Sequence, residues 1–350
     1  MNTQIIPVVG GWLTVNRNCN FRCGWCYAQG TEYKPEDTMS LDLALKLVEL
    51  MAKIGIQKVI ILGGEPTLWK HLFLVSKKIS ELKMKSVLVT NGFRLADSDF
   101  LARLKDSPIS AVNISLKAGN ESQFVRCTRS NAFSWNKVLD GIRALSDMQK
   151  DSGISITVNS TNIGNLDELV STAMLQGAKH VGITFCSVVF NEMEPIADYV
   201  VEPHKLVNTV EKIYPKLHDL TKGSLTIEIS LPMCLWSSSF IETLVSRNQI
   251  ITGCHVLSRN GLIFDPSGNI LLCNCLSNIP MGKYGKDFDS SSFWDYWNSP
   301  KVLELNERLV AFPSNLCISC SKYGSCGGGC PLQWFVFNPK NYIRKKESEK

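Results

Sequence analysis

The strongest constraint on how this chain can fold is a regular alternation of short β-branched runs with amphipathic helical stretches. Trp12-Leu13-Thr14-Val15 opens it as a strand. Ser40 then offers an N-cap, with Leu41, Ala44, Leu45, Val48 and Met51 recurring at helical spacing until Gly55 ends the helix. Lys58-Val59-Ile60-Ile61-Leu62 follows as a buried strand. A helix over 72–82, a strand over 86–89, a helix over 97–104 and a strand over 111–116 continue the pattern. A helix over 133–148, a strand over 154–158, a helix over 166–175 and a strand over 180–185 bring it to about six strand-helix units. Connections of this kind suit a parallel wound sheet or an incomplete barrel. A helix over 203–217 and a strand over 225–229 come next.

In such folds the chemistry gathers at the C-terminal ends of the strands, where successive loops share one rim. The first strand leads into Cys19-x3-Cys23-x2-Cys26, followed by Tyr27. Each step is short enough for the loop to fold back and bring three thiolates onto one small inorganic centre. Three ligands leave a position open. A structural zinc site normally takes four protein ligands, and thiolates also hold iron-sulfur clusters. A zinc knuckle and a cluster both remain open on the triplet alone. The second strand ends in Gly63-Gly64-Glu65-Pro66, where glycine admits close backbone approach and Glu65 adds a carboxylate. Asn91 follows the third strand, Ser115 and Lys117 stand at the end of the fourth, and Asn159 and Cys186 follow the fifth and sixth.

Composition narrows the class. At 350 residues and 39.0 kDa, with 44% hydrophobic residues, the chain is long enough for one large domain and a smaller one. No apolar run is long enough to cross a bilayer, and Met1-Asn2-Thr3-Gln4 carries no basic signal-peptide start. A cytoplasmic protein is expected, with no membrane partner. Thirteen cysteines in such a chain point to metal or redox chemistry rather than disulfides. Net charge is only +5, and the dense run Arg344-Lys345-Lys346 is expected to be a solvated tail, so no nucleic-acid partner is expected.

Cys19, Cys23, Cys26 and Tyr27, with the Gly-Gly-Glu-Pro turn one strand later, resemble the radical S-adenosylmethionine (SAM) enzymes. The resemblance implies a partial (β/α)6 TIM-like barrel, an α/β fold. Cys19, Cys23 and Cys26 would hold a 4Fe-4S cluster whose fourth iron chelates SAM, which is cleaved to methionine and a 5'-deoxyadenosyl radical. Gly63, Gly64 and Glu65 are then expected at the SAM amino group, Ser115 at the ribose hydroxyls, Arg129 at the SAM carboxylate and Asn159 near the adenine or ribose. Tyr27 and Asn91 are expected to touch SAM as well. Lys117 departs from the family, where many relatives carry an acidic residue. Cys127, Cys186 and Cys234 stand outside the clusters and read first as small buried hydrophobes. Cys186, at a strand end, is also a candidate hydrogen-atom donor to a substrate radical.

Past a boundary expected near residue 235, the composition turns to cysteine, glycine and turn residues. Leu262-Ile263-Phe264 and Ile270-Leu271-Leu272 flank a turn that signals a β-hairpin, and 293–297 and 303–310 read as a helical cover. Seven cysteines lie between Cys254 and Cys330, four of them in Cys317-x2-Cys320-x5-Cys326-x3-Cys330. That density indicates metal or cluster ligation. It resembles the SPASM domain, which holds auxiliary 4Fe-4S clusters and here would occupy 236–350 after a barrel over 1–235. By that pattern Cys254, Cys273 and Cys330 would serve one auxiliary cluster and Cys317, Cys320 and Cys326 another. Full-set relatives carry one more cysteine after the last run, and none follows Cys330 here. Cys275 or Cys234 could complete a site, so one or two auxiliary clusters are expected.

The function implied is abstraction of a hydrogen from an unreactive C–H bond. The expected substrate is a ribosomally made peptide or protein side chain, undergoing oxidation, crosslinking, thioether formation or epimerisation. An external electron donor such as flavodoxin or ferredoxin would be needed. Because the sequence starts at the barrel, a peptide substrate is expected to use a separate leader-recognition protein or to dock on the barrel. A small-molecule dehydrogenase or epimerase acting on a sugar, aminocyclitol or nucleoside is the alternative. An iron-sulfur or zinc protein without catalysis explains the cysteines but not the strand-end residues.

Overall fold

The computed structural model describes residues 8–191, 193–309 and 313–343. The basic run at 344–346 and the expected helix end at Val310 lie outside the described residues. Strands β1 (Gly10–Thr14), β2 (Lys58–Leu62), β3 (Lys85–Thr90), β4 (Ala111–Leu116), β5 (Asp151–Val158) and β6 (Val181–Phe185) form in the expected order. All five neighbouring pairs run parallel, in the order β6-β5-β4-β3-β2-β1. The connections carry α1 (Leu41–Lys53), α2 (Leu72–Glu81), α3 (Ser98–Asp106), α4 (Glu121–Thr128), α5 (Ala132–Ser146) and α6 (Leu166–Leu175). Ser40 caps α1 by accepting from the Leu43 N–H at 3.2 Å. The α1 stripe of Ala44, Leu47, Val48 and Met51 is buried, as the helical spacing requires.

Several elements were not anticipated, among them α4 and a hairpin after β6. Helix α4 is capped by Asn120, whose side chain accepts from Gln123 N–H at 2.9 Å, and Asn-x-x-Gln is a capping pattern legible in the sequence. The hairpin of β7 (Val189–Asn191) and β8 (Glu194–Ile196) follows β6 and forms its own two-stranded sheet.

The parallel sheet runs past six strands. Helix α7 (Pro203–Leu220) leads to β9 (Leu225–Glu228), which pairs parallel with β6, and α8 (Ser238–Ser246) leads to β10 (Ile250–Ile251), parallel to β9. The short α9 (His255–Ser258) then carries the chain to the opposite edge. There β11 (Gly261–Phe264) lies parallel to β1, followed by antiparallel β12 (Asn269–Leu271) and β13 (Gly282–Lys283). The expected hairpin therefore exists, but as a continuation of the barrel sheet, packing the cysteine-rich end directly beside the strand that feeds the triplet. Helices α10 (Phe293–Trp297) and α11 (Pro300–Leu309) provide the expected cover, and α12 (Tyr323–Cys326) lies within the last cysteine run. No helix among the described residues is long and apolar enough to cross a membrane.

Candidate cluster and cofactor site

The cysteine loop is held by backbone bonds at both of its neighbours. Arg22 N–H donates to Thr128 O at 2.8 Å and Gly24 N–H to Cys127 O at 3.3 Å, so the end of α4 anchors the loop. Phe21 is buried edge-on to Phe124 of the same helix, 5.3 Å between centroids. On the other side, Gly64 N–H donates to Asn16 O and Glu65 N–H to Asn18 O, both at 2.8 Å. A Cβ on Gly64 would overlap the carbonyl oxygens of Arg17 and Asn18, and one on Gly63 would overlap the Asn16 side chain. The glycine pair is thus required for the strand end to lie against the cysteine loop. Tyr27 completes the joint by donating its hydroxyl to Gly63 O at 2.9 Å.

Glu65 is 1% exposed, and its carboxylate is spent on the protein itself. One oxygen accepts from Thr67 N–H at 3.0 Å, Thr67 Oγ1 at 2.6 Å and Thr90 Oγ1 at 2.7 Å; the other accepts from Asn91 N–H at 2.7 Å. It ties the ends of β2 and β3 together. Asn91 donates its side-chain amide to Asn20 Oδ1 at 2.7 Å, which links β3 to the cysteine loop.

These elements enclose one cavity of ≈ 320 Å³. Cys19, Cys23 and Cys26 line it together with Gly63, Gly64, Glu65, Asn91, Ser115, Lys117, Cys186 and Cys275. Trp25, Tyr27 and Tyr33 give it an aromatic rim. Lys117 donates to Ser115 Oγ at 2.6 Å, placing the departure from the family pattern inside the site. Two expected residues sit elsewhere. Arg129 is an exposed left-handed cap at the end of α4 (φ 52°), and it does not line the cavity. Asn159 is buried, and its side chain is engaged by Thr161 N–H, Thr161 Oγ1 and Thr157 O, so it shapes the turn after β5 rather than lining the cavity.

The donor set fits an iron-sulfur centre. Backbone N–H groups already point at two of the thiols, Phe21 to Cys19 Sγ and Ala28 to Cys26 Sγ, each at 3.4 Å, and hydrogen bonds to sulfur tune such clusters. Burial, reinforced by the Glu65 charge, pushes the Cys19 thiol up to about 12. Burial pushes Cys23 up to about 12 against the opposing pull of Lys117. Both are protonated thiols until a metal centre displaces the proton. Among the described residues no three His, Cys, Asp or Glu side chains converge tightly enough to hold a lone metal ion. In a cubane each thiolate binds its own iron, so its sulfurs stand farther apart than around one zinc ion.

The C-terminal cysteines divide in space. Cys330 is half-buried, and desolvation with the charges of Cys273 and Cys254 pushes its thiol up to about 12. A side-chain hydrogen bond from Cys275 draws Cys273 down and drives Cys275 well up. Cys275 also lines the main cavity, beside Cys186, whose thiol burial raises to about 12. Cys317, in turn, has Cys326 and Cys320 as its charged neighbours. This inward placement of Cys275 carries no local sequence signal.

Residues 13–175 match the family model described as the radical SAM superfamily. A GTP 3',8-cyclase of Mannheimia succiniciproducens is 33% identical over 162 residues, 45% of this chain and 45% of that relative. A probable GTP 3',8-cyclase of Sulfurisphaera tokodaii is 27% identical over 215 residues, 59% of this chain and 64% of the relative. The chain thus matches about half to two thirds of the length of these curated relatives. Among solved structures, Streptococcus suis SuiB bound to the precursor peptide SuiA has a TM-score of 0.69 at 16% identity, covering 97% of this chain and 75% of SuiB. Native anSMEcpe with bound AdoMet and a Kp18Cys peptide has a TM-score of 0.66 at 17% identity, covering 92% of this chain and 89% of that one. The fold is therefore shared along nearly the whole length, and residues 13–175 carry a match to the radical SAM superfamily.

Proposed function

We propose that this chain cleaves SAM reductively and takes a hydrogen atom from an unreactive C–H bond of a ribosomally made peptide or protein side chain. One observation carries the reading: the three thiols of the Cys19–Cys26 loop and the strand-end residues Gly63, Gly64, Asn91 and Ser115 line a single cavity. Cys19, Cys23 and Cys26 would hold a 4Fe-4S cluster, and the strand ends with Tyr27 would hold SAM. When bound, these groups supply the electron and the radical chemistry. The chain's own residues do the rest. Glu65 keeps β2 and β3 in register at the mouth, and Trp25, Tyr33 and Phe185 exclude water from it.

The C-terminal cysteines would hold auxiliary clusters, an inner one on Cys254, Cys273 and Cys330 and an outer one on Cys317, Cys320 and Cys326. We divide the chain at about residue 235 on that basis, although one sheet spans the division. An inner centre next to the cavity is suited to take the electron left on an oxidised substrate. A flavodoxin- or ferredoxin-like donor in the cytoplasm would feed the first cluster, and the peptide would be presented by a separate leader-recognition protein or dock directly on the barrel.

The peptide assignment is supported by SuiB and anSMEcpe, solved with peptides bound, which cover 97% and 92% of this chain with the cysteine-rich end included. Lys117 favours a second reading. Its ammonium lines the cavity and suits a phosphate or carboxylate, and the relatives similar in sequence are named GTP 3',8-cyclases. The deciding experiment is anaerobic incubation with reductant and SAM, first without substrate and then with candidate precursor peptides or with GTP. The radical reading requires 5'-deoxyadenosine from the wild type and none from Cys19→Ala/Cys23→Ala/Cys26→Ala. Cleavage that survives the triple variant overturns it, and a mass change in the nucleotide but not in peptides replaces the substrate assignment with the small-molecule one.

A further inference from the structure

The run from Cys317 to Cys330 contains four cysteines, yet they do not face one centre. Cys330 belongs with Cys254 and Cys273, whose charges act on it, whereas the charges of Cys326 and Cys320 act on Cys317. The outer set therefore holds three thiols, and a fully ligated cubane takes four. None of residues 331–350 is a cysteine.

The segment between β9 and α8 lies against this run. Cys330 N–H donates to Ser230 O at 2.7 Å, and Met233 N–H donates to Cys326 Sγ at 3.3 Å. Gly329, at φ 80°, is the residue that permits the approach, because a Cβ there would stand 2.7 Å from Pro232 Cδ and 3.0 Å from Ser230 O. On the far side the segment is anchored by Trp236, 1% exposed and stacked on Phe240 at 5.3 Å and on Phe185 at 6.0 Å. Cys234 sits between these two anchors, one residue beyond the N–H that already meets Cys326 sulfur. It is exposed at the molecular surface, as is Cys320. Partial burial and the nearby charges of Cys326, Cys317 and Cys320 act on its thiol together, so it stands within electrostatic reach of the whole outer set. The other spare cysteine is accounted for: Cys275 is hydrogen-bonded to Cys273 and lines the main cavity.

We propose that Cys234 is the fourth thiolate of the outer iron-sulfur centre, which is completed from the segment between β9 and α8. Cys234, Cys317, Cys320 and Cys326 then form one ligand set. The inference rests on reading the C-terminal cysteines as cluster ligands. It has a structural consequence: the outer centre would staple the segment after β9 to the cysteine-rich end.

The test is made on the full chain, reconstituted anaerobically. Iron and acid-labile sulfide are measured for the wild type, Cys234→Ala, Cys275→Ala and Cys317→Ala/Cys320→Ala/Cys326→Ala, and Cys234 alkylation by iodoacetamide is followed by mass spectrometry in the wild type before and after iron chelation. The triple variant should lose about four irons and four sulfides. Cys234→Ala should lose at least one of the same irons while Cys275→Ala keeps them all, and Cys234 should alkylate at least tenfold more slowly in the holoprotein than after chelation. If the triple variant loses iron while Cys234 alkylates equally fast in both states, the fourth ligand is not Cys234 and only this inference falls. If the triple variant loses no iron, there is no outer centre, and both the inference and the reading beneath it fall. The alkylation arm needs no variant to fold.

Discussion

The carboxylate of Glu65, at the end of β2, accepts the backbone N–H of Asn91, at the end of β3, at 2.7 Å. That bond and its three companions from Thr67 and Thr90 make Glu65 a clamp between two strand ends that both line the cavity. The family resemblance assigned Glu65 to the SAM amino group. The structure gives its oxygens four protein donors, which fix the strand ends carrying Gly63, Gly64 and Asn91 at the cavity that Glu65 also lines.

Glu65→Gln keeps the shape but exchanges one accepting oxygen for an amide that donates towards existing donors. A buried donor left facing a donor costs about 1–3 kcal/mol. Chemical denaturation should show a loss of that order. Calorimetric titration should show weakened SAM binding, with the iron content of the triplet cluster unchanged. Unaltered stability and affinity would mean that the clamp is redundant.

Gly64→Ala inserts a methyl where the carbonyl oxygens of Arg17 and Asn18 stand. Overpacking of this kind costs about 1–3 kcal/mol. Because the displaced backbone leads into Cys19, the expected result is a lower melting temperature together with about four fewer irons per chain after reconstitution. Gly55→Ala, where nothing lies within 4 Å, is the comparison: it carries only the backbone strain of φ 92° and should keep its iron.

The raised thiols set a pH dependence. Cys19 and Cys23 ordinarily titrate at 9.0 and are raised to about 12 in the folded apoprotein. A raised value means that the fold favours the protonated form, so this contribution to apoprotein stability is whole below pH 9 and is lost as pH climbs from 9 through 12. Cluster assembly has the opposite dependence. Ligation expels the thiol protons, so below that range affinity should rise with pH by up to about tenfold per unit for each proton released. Reconstitution followed by absorbance from pH 6.5 to 8.5 checks this, and a flat profile would contradict protonated thiols in the apo state.

Cys186 lines the cavity as a buried thiol, with burial holding it protonated at values up to about 12. A protonated thiol is the form that can give up a hydrogen atom. If it does so, Cys186→Ala should leave 5'-deoxyadenosine formation within about twofold of wild type and block any epimerised product, with deuterium from solvent no longer entering the substrate. Equal solvent deuterium incorporation in both proteins would return Cys186 to a packing role.

Most of the barrel was legible because its signals are local. Period-2 burial in Lys58–Leu62 and Ala111–Leu116, the Ser40 cap and the α6 stripe over 166–175 depend on near neighbours in sequence. The Cys19–Cys26 loop was legible for the same reason: its spacing is its chemistry. Helix α4 escaped although Asn120 and Gln123 announce it, and with it went the anchor that its end provides for the cysteine loop. Arg129 and Asn159 were assigned by resemblance, and neither assignment could be checked without knowing which way each side chain points.

The sequence by itself determined that β-branched strands alternate with helices, that three thiols share one short loop, and that glycines and a carboxylate stand one strand away. Only the tertiary structure decided that Glu65 bonds across to Thr90 and Asn91 at the end of β3, that Lys117 lines the cavity, and that β11 joins β1. It alone turned Cys275 towards the cavity and laid the Met233 N–H against Cys326 Sγ. The reason is physical. Spacing constrains residues that a few bonds connect, whereas Met233 and Cys326 meet only because burial of the apolar faces folds distant segments onto one another.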